Sequence, residues 1–452
     1  MARGSGLLAA CLAGLPTLAS AAAPPAFKPV RSDESYAHLA RSPDPAPGDR
    51  FRYIPLGAAD DVYLTLGGEA RLRVDATDAP RFGLGGGPGD VFGLGRALLS
   101  ADLHLGPRLR VYGELGLHRD LGKKAAPAVS DRDALDAQVA FVDLTPNPSL
   151  RLRAGRQELM FNPTQRFIAV REGPNIRQSF DGLRVTRQTA SLKLDAFYLR
   201  PVVIKTGPFD DRTNTEQRFF GLYASRSLSP AAALDLYLLE LNRDGVRFGS
   251  VSGDERRKSI GLRLAGNRGA FDYEAEGMAQ GGRFAGRKIR AWGGSLGGGY
   301  TLDRAWRPRL GLRLDAGSGD KDPSDRKLES FNPLFPKGAY FNETGLTSWT
   351  NLVALRPSLG VNPTKAVSLE ASYLFRSRQT GQDAVYLQPY VALAPIGSDR
   401  SVGGAVQLDA GWQASRNLKL QAQIVHQSVD GAVKRLGGHG GDFGMLIAQW
   451  RF

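Results

Sequence analysis

Arg156, Arg166, Arg171, Arg177 and Arg184 fall within one stretch, GRQELMFNPTQRFIAVREGPNIRQSFDGLRV (155–185), set among turn formers, amides and aromatics with neither helical nor simple strand rhythm. A guanidinium stays charged at any relevant pH and presents a planar fork of N–H donors, so such a cluster is chemistry for meeting carboxylates and other anions. Support for other chemistry is thin. The five histidines, His38, His104, His118, His426 and His439, stand in no recognisable nucleophile motif, and covalent catalysis needs a nucleophile and base together. The reading is therefore of a chain with no catalytic residues. No phosphate-cradling loop, cofactor motif or metal cluster is legible, and no cofactor is expected. The acids of DDVYL and of GDKDPSD (319–325) lack a defined ligand spacing and read as solvated loop carboxylates.

The elements around this stretch carry a different pattern. From Val62 onward, segments of about ten residues alternate with period two, the signature of strands. VYLTLGGEARLRV (62–74) places Val62, Leu64, Leu66, Leu72 and Val74 on one face and Tyr63, Thr65, Glu69, Arg71 and Arg73 on the other. RLRVYGELGLH (108–118), SIGLRLAG (259–266), RLGLRLDAG (309–317) and NLKLQAQIV (417–425) repeat the design. RFFGLYASRSL (218–228) and LDLYLLELN (234–242) are apolar on both faces, which predicts that one face packs against a loop inside the structure.

Turns alternate strictly in length. Short ones are expected at Gly106-Pro107, TPNP (145–148), Gln188 to Ala190, SLSP (227–230), NRG (267–269), DRAWRP (303–308), NPTK (362–365) and SRN (415–417). Long polar stretches fall between them near 75–91, 119–133, 159–179, 201–215, 243–256, 281–287, 319–346, 378–401 and 429–442. The fold class this implies is all-β, a transmembrane antiparallel β-barrel of about eighteen strands with long extracellular loops and short periplasmic turns. Closure removes every sheet edge, which a bilayer demands because no water is present to satisfy unpaired backbone groups. GMLIAQWRF at the C-terminus, with Leu446, Ala448 and Trp450 on one face and a terminal Phe452, resembles a barrel-assembly signal.

Residues 1–23 read as a secretory signal peptide, 24–61 as an irregular, Pro-rich periplasmic leader, and 62–452 as the barrel. The single cysteine, Cys11, lies within the signal; Leu8-Ala9-Ala10-Cys11 resembles a lipoprotein box, but the apolar run before it is short. A chain without that segment has no disulfide and no thiolate metal site. The formal charge is +14, or about +13 once Arg3 leaves, which points to an anionic partner. The charge is scattered, without Lys/Arg runs or a nucleic-acid module, which excludes nucleic acid.

Energy sets the orientation of the strands. Lys or Arg on the lipid face costs about 2 to 4 kcal/mol at the bilayer midplane, and nearly every strand carries an arginine. Alternation therefore predicts a bore that receives Arg71, Arg73, Arg96, Arg153, Arg184, Lys288, Arg290 and Arg313, opposed by acids such as Glu69, Glu274, Glu276 and Asp315. Most are expected to neutralise one another in the wall.

RSDESYAHL (31–39), FRYIPL (51–56), YLTLGGEARLRV (63–74), GRQEL (155–159) and REGPNIRQSFDGLRV (171–185) together resemble the alginate-export outer-membrane porins, most strongly over about 31–190. The resemblance implies an eighteen-stranded monomeric barrel in the bacterial outer membrane, surrounded by lipid, whose arginine-lined pore passes an anionic polysaccharide. It also implies a partner in the periplasmic export machinery. Carried to matching positions, it makes Arg71, Arg73, Arg156, Arg171, Arg177, Asp181 and Arg184 the candidates for the constriction, with Arg166 in the intervening loop. Asp181 pairing an arginine and Gly182 allowing close strand packing is the structural alternative. Where the familial pattern often carries aromatic and acidic residues after GRQEL, this chain reads MFNPTQ.

Four functions are open: passive export of an acidic exopolysaccharide, uptake of small anions or aromatic acids, a barrel enzyme such as a lipase or protease, and a purely structural or adhesive barrel. The first is preferred, because a row of exposed guanidinium–carboxylate contacts worth about 0.2 to 1 kcal/mol each draws in a polyanion yet lets each unit slip onward.

Overall fold

The computed structural model describes residues 27–41, 48–85, 87–248, 251–393 and 397–452. The signal-peptide reading of residues 1–23, with Cys11, lies outside them. Eighteen strands form one closed antiparallel barrel: β1 (Val62–Thr77), β2 (Asp90–Leu105), β3 (Leu109–Leu121), β4 (Asp133–Asn147), β5 (Leu150–Gln157), β6 (Phe180–Gln188), β7 (Leu192–Val203), β8 (Gln217–Ser229), β9 (Ala232–Phe248), β10 (Val251–Arg268), β11 (Phe271–Phe284), β12 (Arg287–Thr301), β13 (Arg309–Gly317), β14 (Leu352–Thr364), β15 (Val367–Ser377), β16 (Ser401–Gln413), β17 (Leu418–Val429) and β18 (Gly441–Arg451). The cylinder closes where β1 pairs with β18, from Glu69 opposite Arg451 to Thr77 opposite Phe443. No helix among the described residues is long and apolar enough to cross a membrane.

Alternation sorts the side chains as bilayer energetics require. Leu72 and Val74 of β1 are exposed on the outer wall while Arg71 and Arg73 are buried within. Leu446, Ala448 and Trp450 likewise share the exposed face of β18, and Phe452 pairs with Gly68 through two backbone hydrogen bonds of 3.2 Å.

All eight short turns fall where the sequence places them, at the end that is periplasmic in a barrel of this type. The other end differs from expectation at two connections. Across 243–256 and 281–287 the strands run on as hairpins, to Phe248 and from Val251, and to Phe284 and from Arg287. Lys288 and Arg290 consequently face outward, alternating with the buried Ile289 and Ala291. Charges beyond the hydrocarbon meet water, so the midplane penalty that would turn them inward does not apply there.

Two loops fold into the bore from opposite sides, 158–179 (the arginine loop) and 318–351 (the opposing loop). They run parallel where they meet, with Phe335 N–H donating to Phe167 O at 3.0 Å, Ala169 N–H to Phe335 O at 2.9 Å and Lys337 N–H to Gln165 O at 3.2 Å. Phe167, Phe180, Phe219, Tyr223, Tyr237, Phe331 and Trp349 form an apolar cluster between these loops and the inner faces of β6, β8 and β9. This explains the doubly apolar β8 and β9: Leu222, Leu236 and Leu238 face outward on the same strands. Above the strap that these two joined loops form across the bore, Phe82, Leu346, Val385, Leu387, Ala432 and Val433 draw four outer loops into a second cluster.

The leader enters from the short-turn side. Ile54–Pro55 pairs with Leu64–Tyr63 of β1, and residues 28–32 reach up into the bore. There Arg31 meets Glu69 at 2.5 Å and Glu114 at 3.6 Å, Arg110 donates to Ser32 O at 2.8 Å, and Arg451 donates to Lys28 O at 3.3 Å.

Candidate functional site

The arginine loop exists because β5 ends early, at Gln157, and a turn-rich sequence cannot extend the ladder. Its tip, Glu172-Gly173-Pro174-Asn175, docks on the inner wall of β1 to β3. Arg71 donates to Glu172 O at 2.6 Å and Pro174 O at 3.1 Å, and Asn175 Nδ2 donates to Gly95 O at 3.0 Å and Asp131 O at 2.9 Å. Arg73 is held by Asp75 at 2.8 Å and by Glu343 of the opposing loop at 2.7 Å. Arg96 is held by Glu69 at 2.6 Å and by Glu172. Arg177 meets Glu158 at 2.8 Å and Glu172 at 3.3 Å, and donates to the leader at Pro29 O. Burial disfavours the Glu172 carboxylate, but the Arg96 and Arg177 guanidiniums outweigh it and hold its pKa below the usual range. At Glu158 the balance reverses: burial, reinforced by Glu114 and Glu172, lifts the carboxyl despite Arg177.

The structure thus brings Arg71, Arg73 and Arg177 together, as a clamp whose charges are already answered. Arg184 is also in the bore, bound to Asp195 at 2.8 Å. Arg156 and Asp181 are elsewhere. They oppose one another across β5 and β6 and bind at 2.9 Å, on the outward parity of those strands, shared with Ala154 and the 59% exposed Leu183. The neighbouring Gly155 (φ +127°) and Gly182 (φ +148°) also face each other, and a Cβ on either would lie 2.3 or 2.2 Å from a backbone oxygen of the adjoining strand. The Asp181–Gly182 pair therefore plays the structural role, ion pairing and close strand approach.

Two of the sequence candidates have a different character. Arg171 forms no ion pair among the described residues, and burial alone lowers its pKa. Arg166 reaches the other half of the bore, where it contacts Glu276, Glu274 at 3.3 Å and Tyr340 Oη at 2.9 Å. It lines a cavity of about 590 Å³ that opens toward the short-turn end and is walled by β8 to β15. Five arginines border this cavity, Arg166, Arg263, Arg309, Arg313 and Arg356, against three carboxylates, Asp272, Glu274 and Glu370. Ser295, Ser358, Asn267 and Tyr273 add neutral hydrogen-bonding groups. Lys337 of the opposing loop stands close to Arg313 and Arg356; burial, with those two guanidiniums and against Glu343, pulls its pKa down. Each guanidinium is also paired, Arg166 with Glu274 and Glu276, Arg263 with Asp235 and Glu274, Arg309 with Asp272, Arg313 with Asp315 and Arg356 with Glu370, so the open wall offers guanidiniums that a passing carboxylate can share without being trapped.

Sequence reasoning placed Arg313 in the bore but missed Arg356, Arg309 and Lys337 as members of one surface. Arg356 sits in LVALRPS, where the alternation weakens, and Lys337 lies in a loop without periodicity. Their grouping depends on the two loops meeting, which no local pattern encodes.

A closed antiparallel barrel with an apolar outer wall, a charged bore and loops grouped at one end defines the porin class of outer-membrane channels. The chain matches the family model described as Alginate export over residues 62–443, and it belongs to that family. Solved structures of the same fold include Pseudomonas aeruginosa OccK2 in complex with glucuronate (14% identity, 86% of this chain, 98% of that chain, TM-score 0.57). A BenF-like porin from Pseudomonas fluorescens is similar (12%, 86% and 98%, 0.60), as is Pseudomonas aeruginosa OpdK with vanillate (11%, 86% and 98%, 0.57). No protein of curated function matches the chain. Family and neighbours are channels rather than enzymes, and they imply an outer-membrane location.

Proposed function

We propose that this channel is anion-selective and passively exports an acidic, uronate-type polysaccharide from the short-turn side to the long-loop side. The observation that carries the reading is the open cavity at the short-turn entrance, bordered by five arginines and leading to Lys337 at the strap. Family membership supports the same cargo class. The wall arginines offer planar donor forks to successive carboxylates, and each contact is weak enough to exchange. The channel works as a monomer, and a periplasmic export machinery presents the polymer to the cavity.

Uptake of small organic acids is the second reading. It is favoured by the strap that narrows the bore and by the ligands named for two structural neighbours, glucuronate and vanillate. Conductance of the purified channel in planar bilayers decides between them. Export predicts chloride over potassium selectivity and block by oligo-uronates at concentrations where glucuronate monomer has no effect. Equal block by monomer and oligomer sinks export in favour of small-acid uptake, and cation selectivity sinks both.

A further inference from the structure

A second charged site lies on the long-loop side, built from the start of β4 and the loop 204–216. That loop crosses to β4 through Phe209 N–H donating to Leu135 O at 2.9 Å and Asp211 N–H donating to Asp136 Oδ2 at 2.9 Å. The crossing brings Asp133, Asp136 and Asp211 together, with one carboxylate oxygen of each lying within 4.8 Å of the others. Oxygens sharing one calcium ion at about 2.4 Å sit up to about 5 Å apart, so the spacing suits a common cation.

An independent observation points to a ligand. Asp133 is only 2% exposed, yet its Oδ1 has no hydrogen-bond partner, and Oδ1 of the adjacent Asp210 is also buried without one. Unpartnered buried carboxylate oxygens are costly unless something answers them. The nearby cation does not. Arg156 Nη1 stands 3.5 Å from Asp136 and 4.0 Å from Asp211, while its Nε is bound to Asp181 at 2.9 Å. Asp136 and Asp211 therefore share one guanidinium that already serves Asp181, and Asp133 and Asp210 form no ion pair among the described residues.

We propose that Asp133, Asp136 and Asp211, in the field of Asp210, bind a divalent cation of the calcium type that fastens the 204–216 loop to β4. An all-oxygen donor set without histidine or thiolate selects a hard cation over zinc. The assignment is independent of the cargo.

The test uses the full chain refolded from denaturant into detergent, so that no lipopolysaccharide accompanies it, and stripped with EDTA. Calcium chloride titrated into it calorimetrically is expected to show one saturable site. D211N should weaken binding at least tenfold, as should D133N, with folding verified by heat-modifiable gel mobility. D211N changes only a loop residue and keeps the test decisive where D133N fails to fold. Calcium should also protect the Lys205 and Arg212 bonds from trypsin in the wild type and not in D211N. A D322N/D325N variant of the exposed 319–325 acids should bind normally. Absence of saturable binding overturns the assignment. So does binding that survives D211N, or that is lost equally in D322N/D325N.

Discussion

The bore has two sides that use the same residue type to opposite ends. Along β1 to β4, arginines 31, 71, 73, 96 and 177 are buried against Glu69, Glu114, Glu158, Glu172 and Glu343, and the leader and the tip of the arginine loop fill the space between. Across the cylinder, Arg166, Arg263, Arg309, Arg313 and Arg356 are ion-paired too, but they border an open cavity, and the side chains of Arg309 and Arg313 stay 34% and 23% exposed. A guanidinium becomes mortar when carboxylates and backbone oxygens close around it, and recognition surface when they leave a donor facing water. Charge density alone does not separate the two.

The sharpest way to break this contrast is Glu69→Ala. Glu69 is buried beneath Arg31, Arg96 and Arg451, and its loss leaves three cations without their shared anion. Breaking such a buried pair costs about 3 to 5 kcal/mol, to be read from urea unfolding in detergent micelles. A loss below about 1 kcal/mol, the value of an exposed pair, would dissolve the distinction between the two sides. Arg71→Ala comes next: it strands the carbonyls of Glu172 and Pro174 and should cost about 1 to 3 kcal/mol while leaving ion selectivity unchanged. Altered selectivity without altered stability would reverse its assignment.

On the cavity side, Arg309→Ala removes a guanidinium whose side chain is 34% exposed and whose partner Asp272 is 43% exposed, so it should leave unfolding nearly untouched and weaken oligo-uronate block by up to about fivefold, at about 0.2 to 1 kcal/mol for the contact. Undiminished block in bilayer recordings would place recognition elsewhere. Deleting residues 27–33 should raise single-channel conductance roughly twofold, because a barrel of this strand number is wide wherever nothing fills it. Unchanged conductance would mean that the leader does not obstruct the conducting path. The smallest effect concerns Lys337. Its pKa lies below the ordinary lysine value, so its positive charge is lost as pH rises through that depressed value. Chloride selectivity should therefore begin to decline at a lower pH than an unperturbed lysine would impose, and Lys337→Ala should flatten that decline; an identical profile in the variant would remove Lys337 from the path.

Strand positions were legible wherever lipid enforces alternation, as in β1, where Leu72 and Val74 must face out for Arg71 and Arg73 to face in. Legibility failed where lipid exerts no such pressure. Arg256 and Lys258 of β10 point outward above the hydrocarbon, so a continuing strand reads as a polar loop. Arg156 and Asp181 carried the family resemblance, but parity puts them on the outer face, one residue from the bore. The clamp partners Glu158, Glu172 and Glu343 lie in loops, and their pairing with the wall is a product of tertiary docking. The apolar inner faces of β8 and β9 were the one sequence sign that a loop enters the cylinder, and Phe219 and Tyr237 lie against that loop.

The seam between the first and last strands has a consequence for assembly. β18 stops beside Gly68, so its ladder leaves the first residues of β1 without a neighbour on that flank, and Ile54–Pro55 from the leader takes the vacant place. A barrel cut to begin at Val62 would carry a short open edge able to recruit a strand from another molecule. The leader is thus a further short stave of the wall, set where the ladder of the last strand ends at Phe452.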